Sequence, residues 1–215
     1  TQAPLLPRFL KQGGYATAHF GKWHLANNMI PDSPVPGEYG FDTYGAFNCA
    51  GEQMPVHEDS EHVVKFIQKS KAHGKPFFIN MWLHEPHTPF HTVPKYRWRF
   101  RHLENEADNI YASVLSHADD RVGEVLDELD RLEMTENTLV IFSSDNGPAR
   151  SSRSAELGLM HDTATGAGYN VAAAKGITGG RKGYKSSLFE GGIGVPFIAR
   201  WPGKIPSDRV DKKSI

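Results

Sequence analysis

The sequence holds a single cysteine, Cys49, in 215 residues. That excludes an intrachain disulfide and any multi-cysteine zinc site, and it leaves the redox compartment open. Long hydrophobic runs are also missing: no stretch approaches the roughly 20 apolar residues needed to cross a bilayer. Charge of one sign is lacking too, since the formal net charge is −1. With no broad basic field there is no electrostatic footprint for a nucleic-acid partner, and any anion must be held by a local cluster. What is present, 39% hydrophobic and 23% charged residues, is the composition of a globular chain able to bury a core. A single domain is the expectation.

Local patterns predict alternating helices and strands. Pro4 to Lys11 reads as a short helix stopped by Gly13 and Gly14, and Tyr15 to Phe20 as a strand entering the turn Gly21-Lys22-Trp23-His24. Residues 27–57, rich in Pro and Gly, read as a long surface loop. Asp59 or Ser60 can cap a helix ending at Gly74, followed by a buried strand, Pro76 to Leu83, that delivers His84-Glu85-Pro86-His87. The clearest helix carries Ala107, Ile110, Tyr111, Val114, Ala118, Val122, Val125, Leu129 and Leu132 on one face. Its acidic residues, Asp119, Asp120, Glu124, Asp127, Glu128 and Asp130, read as the solvated side. Thr138 to Phe142 is apolar throughout, as in a strand buried within a parallel sheet, and ends in Ser143-Ser144-Asp145-Asn146-Gly147. Residues 148–187 read as an excursion over one face, and Val195 to Arg200 as a last strand. This order predicts an α/β fold with a mainly parallel central sheet covered by helices on both faces. Ligands of such sheets collect at the carboxyl ends of strands, where 21–24, 84–87 and 143–147 all fall.

Several residues in those clusters have the chemistry of a site, though each has a plain alternative. Asp145-Asn146-Gly147 is a favoured turn sequence, yet it also offers two hard oxygen donors of the kind Ca²⁺ or Mg²⁺ takes, out of about six to eight. Lys22 and His24 flank Trp23 in a tight turn and could face one anion, or be ordinary surface residues. His87, between Pro86 and Pro89, is held where one imidazole can be aimed; His84 is either the aimed residue or a structural hydrogen-bonder. Lys185 is either solvated or anion-binding, and Glu190 could anchor the double-glycine turn after it.

Taken together, Gly14-Tyr15-Ala16-Thr17 and Gly21-Lys22-Trp23-His24-Leu25 resemble the second signature of type I sulfatases. Three further blocks follow in that family's order: Glu85-Pro86-His87-Thr88-Pro89, Ser144-Asp145-Asn146-Gly147, and Lys185 ahead of Glu190-Gly191-Gly192 and Val195-Pro196. The resemblance implies an alkaline-phosphatase-like fold and hydrolysis of a sulfate ester; the matched residues do not name the alcohol, and a carbohydrate sulfate is preferred over a steroid or simple aryl sulfate. The nucleophile would be a formylglycine made from cysteine or serine by a formylglycine-generating enzyme. It further implies that Asp145 and Asn146 are calcium ligands and that Lys22 and Lys185 neutralise sulfate oxygens. His24 would assist sulfate release, His87 would protonate the departing alcohol, and the protein would be exported to the periplasm, cell exterior or an equivalent compartment. Residues 27–57 and 148–184 would read the alcohol.

Departures from the family pattern shape the expectation. No Cys/Ser-x-Pro/Ala-x-Arg nucleophile signature occurs in these 215 residues, and Cys49 in Asn48-Cys49-Ala50-Gly51-Glu52 has no arginine at the required place. Paired aspartates that would complete the calcium set are absent as well. Ala26 replaces a glycine and Gly194 stands where arginine is common. The expectation is therefore that residues 1–215 are the central part of one catalytic domain, with the nucleophile segment upstream and a C-terminal subdomain downstream, and are inactive alone. Two alternatives remain: a phosphate or phosphonate ester hydrolase of the same superfamily, and a non-catalytic sulfatase-like binding protein.

Overall fold

A computed structural model describes residues 4–25, 30, 32–150 and 156–211. Ala26, and residues 27–29, 31 and 151–155 of the two expected specificity stretches, lie outside the described residues. Two compact units emerge: residues 1–125 with 151–175, and residues 126–150 with 176–215.

The first unit is organised by a parallel sheet in the order β2-β1-β3, formed by β1 (Ala16–Gly21), β2 (Thr43–Ala46) and β3 (Phe77–Trp82). Strand β1 is central: Ala16 to Gly21 lie opposite Phe77 to Trp82, and Ala18 to Gly21 opposite Thr43 to Ala46. Centrality explains its burial, with Thr17, Ala18 and His19 fully enclosed and Phe20 nearly so. The helix α1 (Leu6–Gln12) begins with a proline in its first turn, where no N–H is needed, and packs on β1. Helix α2 (Asp59–Ala72) covers β1 and β3 with Val63, Phe66 and Ile67. Its cap is Glu58 and lacks a side-chain bond, so neither Asp59 nor Ser60 occupies the expected capping position; Asp59 is buried and accepts from the Ser60 amide at 2.8 Å.

After the short helix α3 (Pro94–Arg99), the long helix α4 (Glu106–Arg131) follows the predicted periodicity. Ile110 and Val114 join Phe90, Ala173 and Ala174 in one core cluster. The acidic side is only partly solvated: Asp120 accepts from the Tyr96 hydroxyl at 2.7 Å, Glu124 accepts from Ser60 at 2.6 Å, and Glu128 is buried against Arg131.

Residues 27–57 are not simply a surface loop. They contain a tight helical turn, Pro36–Tyr39, the strand β2, and buried Phe41, Phe47, Cys49 and Met54. A four-residue strand containing Gly45 is too short to show period-two alternation. In the second unit, β4 (Val140–Ser143) is neither buried nor parallel. It pairs antiparallel with the last strand, Phe197–Arg200, and Ile141, Phe142, Phe197 and Ile198 are all exposed. An apolar run signals a strand without saying what covers it. The excursion 148–187 includes an antiparallel ribbon, β5 (Leu159–Asp162) with β6 (Gly166–Tyr169), which belongs to the first unit. Helix α5 (Glu190–Ile193) then leads to that last strand, β7 (Phe197–Arg200).

His19 lies between the Trp23 and Trp82 rings at 4.8 and 4.9 Å, and its Nε2 pairs with the Lys22 carbonyl at 3.0 Å. Burial lowers its pKa from 6.5 to about 4, the carbonyl contact opposing only part of that. Between those values the unfolded chain binds a proton that the folded chain refuses. Stability is therefore full above pH 6.5 and falls by about 1.4 kcal/mol per pH unit as pH drops toward 4. Urea unfolding of the protein and of His19→Gln across that range should show the stability difference between them shrinking as pH falls; a constant difference would contradict the assignment to His19.

Candidate active site

Strand β1 ends in a turn that the neighbouring strand shapes. Gly21 has φ +106, and a Cβ there would stand 2.1 Å from the Trp82 carbonyl oxygen, so no side chain fits. The Lys22 amide donates to that same oxygen at 2.8 Å. Trp23 points inward: it is 1% exposed, packed with Phe41, Ala46 and Cys49, and its indole N–H donates to the Pro34 carbonyl at 3.3 Å. Asn48 clamps the Trp23 backbone from both sides, accepting its N–H at 2.7 Å and donating to its carbonyl at 3.0 Å. With Trp23 buried as the anchor, Lys22 is half-buried and His24 exposed. Cys49 is enclosed in this cluster, burial raising its thiol pKa, which fits a packing role and not a nucleophile.

Because Gly21 pairs with Trp82 in parallel register, the segment after β3 leaves the sheet at the same end. His84 is buried there, its Nε2 paired with the Pro89 carbonyl at 3.0 Å, and burial lowers its pKa to about 4. It is the structural hydrogen-bonder of the two readings. His87 is half-buried, and its Nδ1 lies 2.6 Å from the Thr88 carbonyl oxygen. A carbonyl only accepts, so Nδ1 carries hydrogen and Nε2 is the position that can exchange a proton with a substrate. Glu85 is buried on Arg121, which lies in turn 3.6 Å from Asp59. Burial alone would raise the Glu85 carboxyl, but His57 and Arg121 overcome it and hold the pKa at about 2.

In the second unit, three backbone segments meet through glycines. The Gly147 amide donates to the Gly192 carbonyl at 2.8 Å, and a Cβ on Gly147 would stand 2.0 Å from the Gly191 oxygen. The Gly191 amide donates to Lys182 at 2.7 Å, and the Lys185 amide to Pro148 at 2.9 Å. Half-buried Lys185 is thus fixed beside the segment carrying exposed Asp145 and half-buried Asn146. The Asn146 amide nitrogen donates to the Gly147 carbonyl at 2.8 Å, which commits its donor end to the protein and leaves the oxygen end for another partner. Where Gly194 replaces the common arginine, the Arg181 side chain lies 3.6 Å from the position a Cβ would take.

Lys22, His24 and His87 therefore gather at one end of the first unit's sheet, and Asp145, Asn146 and Lys185 in one loop cluster of the second. The Sulfatase family model matches residues 1–215. This chain belongs to the Sulfatase family. It is 29% identical over 244 residues to N-acetylgalactosamine-6-sulfatase of Canis lupus familiaris, covering 97% of this chain and 42% of that protein. Against the uncharacterized sulfatase YdeN of Escherichia coli (strain K12) it is 26% identical over 247 residues, covering 96% of this chain and 40% of the other. The solved structure of Ps i-CgsB in complex with k-i-k-neocarrahexaose matches with a TM-score of 0.72 at 23% identity, covering 93% of this chain and 48% of that one. The fold is accordingly the α/β, alkaline-phosphatase-like fold. It spans about two fifths of the length of these two sequence relatives.

For this sulfatase-family chain, the donor chemistry of Asp145 and Asn146 fits the calcium that the family implies: a carboxylate and an amide oxygen, the amide nitrogen being committed to the Gly147 carbonyl, follow one short strand. Two residues that shape the site were not recognised from sequence. Asn48 sat inside an apparent loop. Arg121 did carry a signal, as a charge three residues after Ala118 on the helix face that points inward.

Removing the Asn48 clamp leaves an N–H and a carbonyl of buried Trp23 unpaired. Asn48→Ala should therefore lower stability by about 1–3 kcal/mol in urea unfolding; a change within about 0.5 kcal/mol, as at ordinary surface positions, would show that the turn is held by other contacts.

Proposed function

We propose that residues 1–215 are part of a single catalytic domain that hydrolyses sulfate esters of carbohydrates. The observation that carries this reading is the Trp23-anchored turn, which holds Lys22 and His24 at the sheet end where His87 also emerges. A sulfuryl group in transfer needs cations at its oxygens and an acid for the leaving alcohol. Lys22 and Lys185 are the cations, and His87 is the acid, its Nδ1 tied to Thr88 so that Nε2 faces the bridging oxygen. His24 assists release of sulfate. Asp145 and Asn146 supply two oxygens of a calcium site whose charge would polarise the nucleophile and a sulfate oxygen.

The nucleophile is a formylglycine in a segment outside these 215 residues, installed by a formylglycine-generating enzyme, and the mature protein works in an exported compartment. Among the described residues no helix is long and apolar enough to cross a membrane. A carbohydrate substrate is favoured because one relative is named for N-acetylgalactosamine 6-sulfate chemistry and one structural neighbour holds an oligosaccharide. Residues 27–57 and 148–184 read the alcohol.

Purified 1–215 should give only background hydrolysis of an aryl sulfate, with or without calcium, whereas the full-length protein carrying formylglycine should turn over. In the full-length enzyme, Lys22→Ala should lower kcat about 10²–10³-fold. His87→Ala should cost about 10²–10⁴-fold on a sugar sulfate and far less on an aryl sulfate, whose alcohol leaves without a proton. Calcium-dependent turnover by 1–215, abolished by Lys22→Ala, would place the nucleophile within these residues and refute the reading.

A further inference from the structure

Apart from the residues assigned above, the first unit contains a second group with the chemistry of a metal site. The ligand atoms of His57, Glu85 and His117 all lie within 4.8 Å of one another. They come from three separate segments: the loop before α2, the segment after β3, and the middle of α4. The Glu85 side chain is 1% exposed and that of His57 21%. His57 Nε2 approaches Glu85 Oε1 to 2.6 Å, yet neither atom makes a hydrogen bond of acceptable geometry, and His117 Nδ1 is likewise buried without a partner. His57 and Glu85 thus meet as an ion pair without a well-formed hydrogen bond, and the buried His117 nitrogen beside them is costly unless something shared satisfies it.

Surrounding contacts orient these donors as a metal's outer shell would. Arg121 holds Glu85 Oε2 and leaves Oε1 turned toward the histidines. The guanidinium charge is answered in part by Asp59, 3.6 Å from Arg121 Nε, so the Glu85 charge is not wholly consumed by it. The His57 and His117 rings stand 4.6 Å apart at 77°, an arrangement that lets two imidazoles aim at a common point from different directions. His91 borders the group 5.7 Å from the His57 ring; its Nδ1 lies 3.0 Å from the Ala167 carbonyl, which assigns the hydrogen to Nδ1 and leaves a buried, unpartnered Nε2.

We propose that His57, Glu85 and His117 bind a zinc ion. Two imidazoles and one carboxylate suit Zn²⁺, whereas calcium takes oxygen donors almost exclusively, so this site is distinct in chemistry from the one at Asp145 and Asn146. The ion would tie the loop at residue 57, the segment 84–91 and α4 to one point, and so brace the segment that presents His87. That consequence rests on the sulfatase reading; zinc binding itself does not.

The test uses the full-length protein, stripped with a chelator, dialysed, and titrated with Zn²⁺ alone. One equivalent should bind, raise the thermal unfolding temperature, and show an X-ray absorption shell containing two or more imidazoles with N/O donors at about 2.0–2.1 Å. His57→Ala and His117→Gln should each weaken binding by more than about 100-fold, beyond the loss expected of an outer-shell partner. Asp145→Ala should leave zinc affinity unchanged. Wild-type X-ray absorption needs no variant and decides the matter even if a substituted protein fails to fold. A shell without imidazole, no binding above background, or equal binding by folded His57→Ala and His117→Gln would overturn the proposal and leave the group as an ion pair between His57 and Glu85. Loss of sulfate hydrolysis with zinc binding intact would refute the sulfatase reading alone.

Discussion

The close approach of Gly21 to Trp82 is the constraint on which the carboxyl end of the first unit's sheet depends. It brings β1 and β3 into register to their last residues, turns the Lys22 amide onto the Trp82 carbonyl, and directs the following indole into the core. Trp23 is then locked by stacking on Trp82 at 5.9 Å and by the Asn48 clamp. Two polar side chains are left outside because the residue between them is inside. Apolar burial thereby sets the placement of a charge.

A different solution operates behind His87. There the chain buries charge, with Glu85, Arg121 and Asp59 all nearly inaccessible. A buried ion pair is weak evidence for stability, since desolvation offsets most of the attraction. Breaking one is nevertheless expensive, because the remaining charge is left uncompensated. Such an arrangement restricts where the segment 84–91 can rest more than it strengthens the fold.

Parts of this were legible from residue order and parts were not. Strand β1 announced itself by alternation and β3 by an apolar run, each giving way to a polar cluster, and α4 because its period held for seven turns. Strand β2 was hidden by its brevity and by Gly45. The apolar run at β4 was correctly read as a strand but wrongly as a buried parallel one, since hydrophobicity states what a surface would prefer and not which neighbour it meets. Four ordered blocks of residues sufficed to recognise the family. The His57, Glu85 and His117 group had no such signal: its members are far apart in sequence, each with a plain local reading, and only the packing of α2, β3 and α4 brings them together.

The ribbon of β4 and β7 has a consequence for handling the protein. It is a two-stranded sheet, and Ile141, Phe142, Phe197 and Ile198 are all open to water. Each strand has one edge already paired and the other offering unused amides and carbonyls to any strand that arrives. Apolar over most of its length, with Arg200 its one charged residue, such an edge is a template for association between molecules. Preparations of residues 1–215 will therefore be governed by colloidal behaviour: solubility should depend on concentration and on mild detergent well below any temperature at which the core loosens.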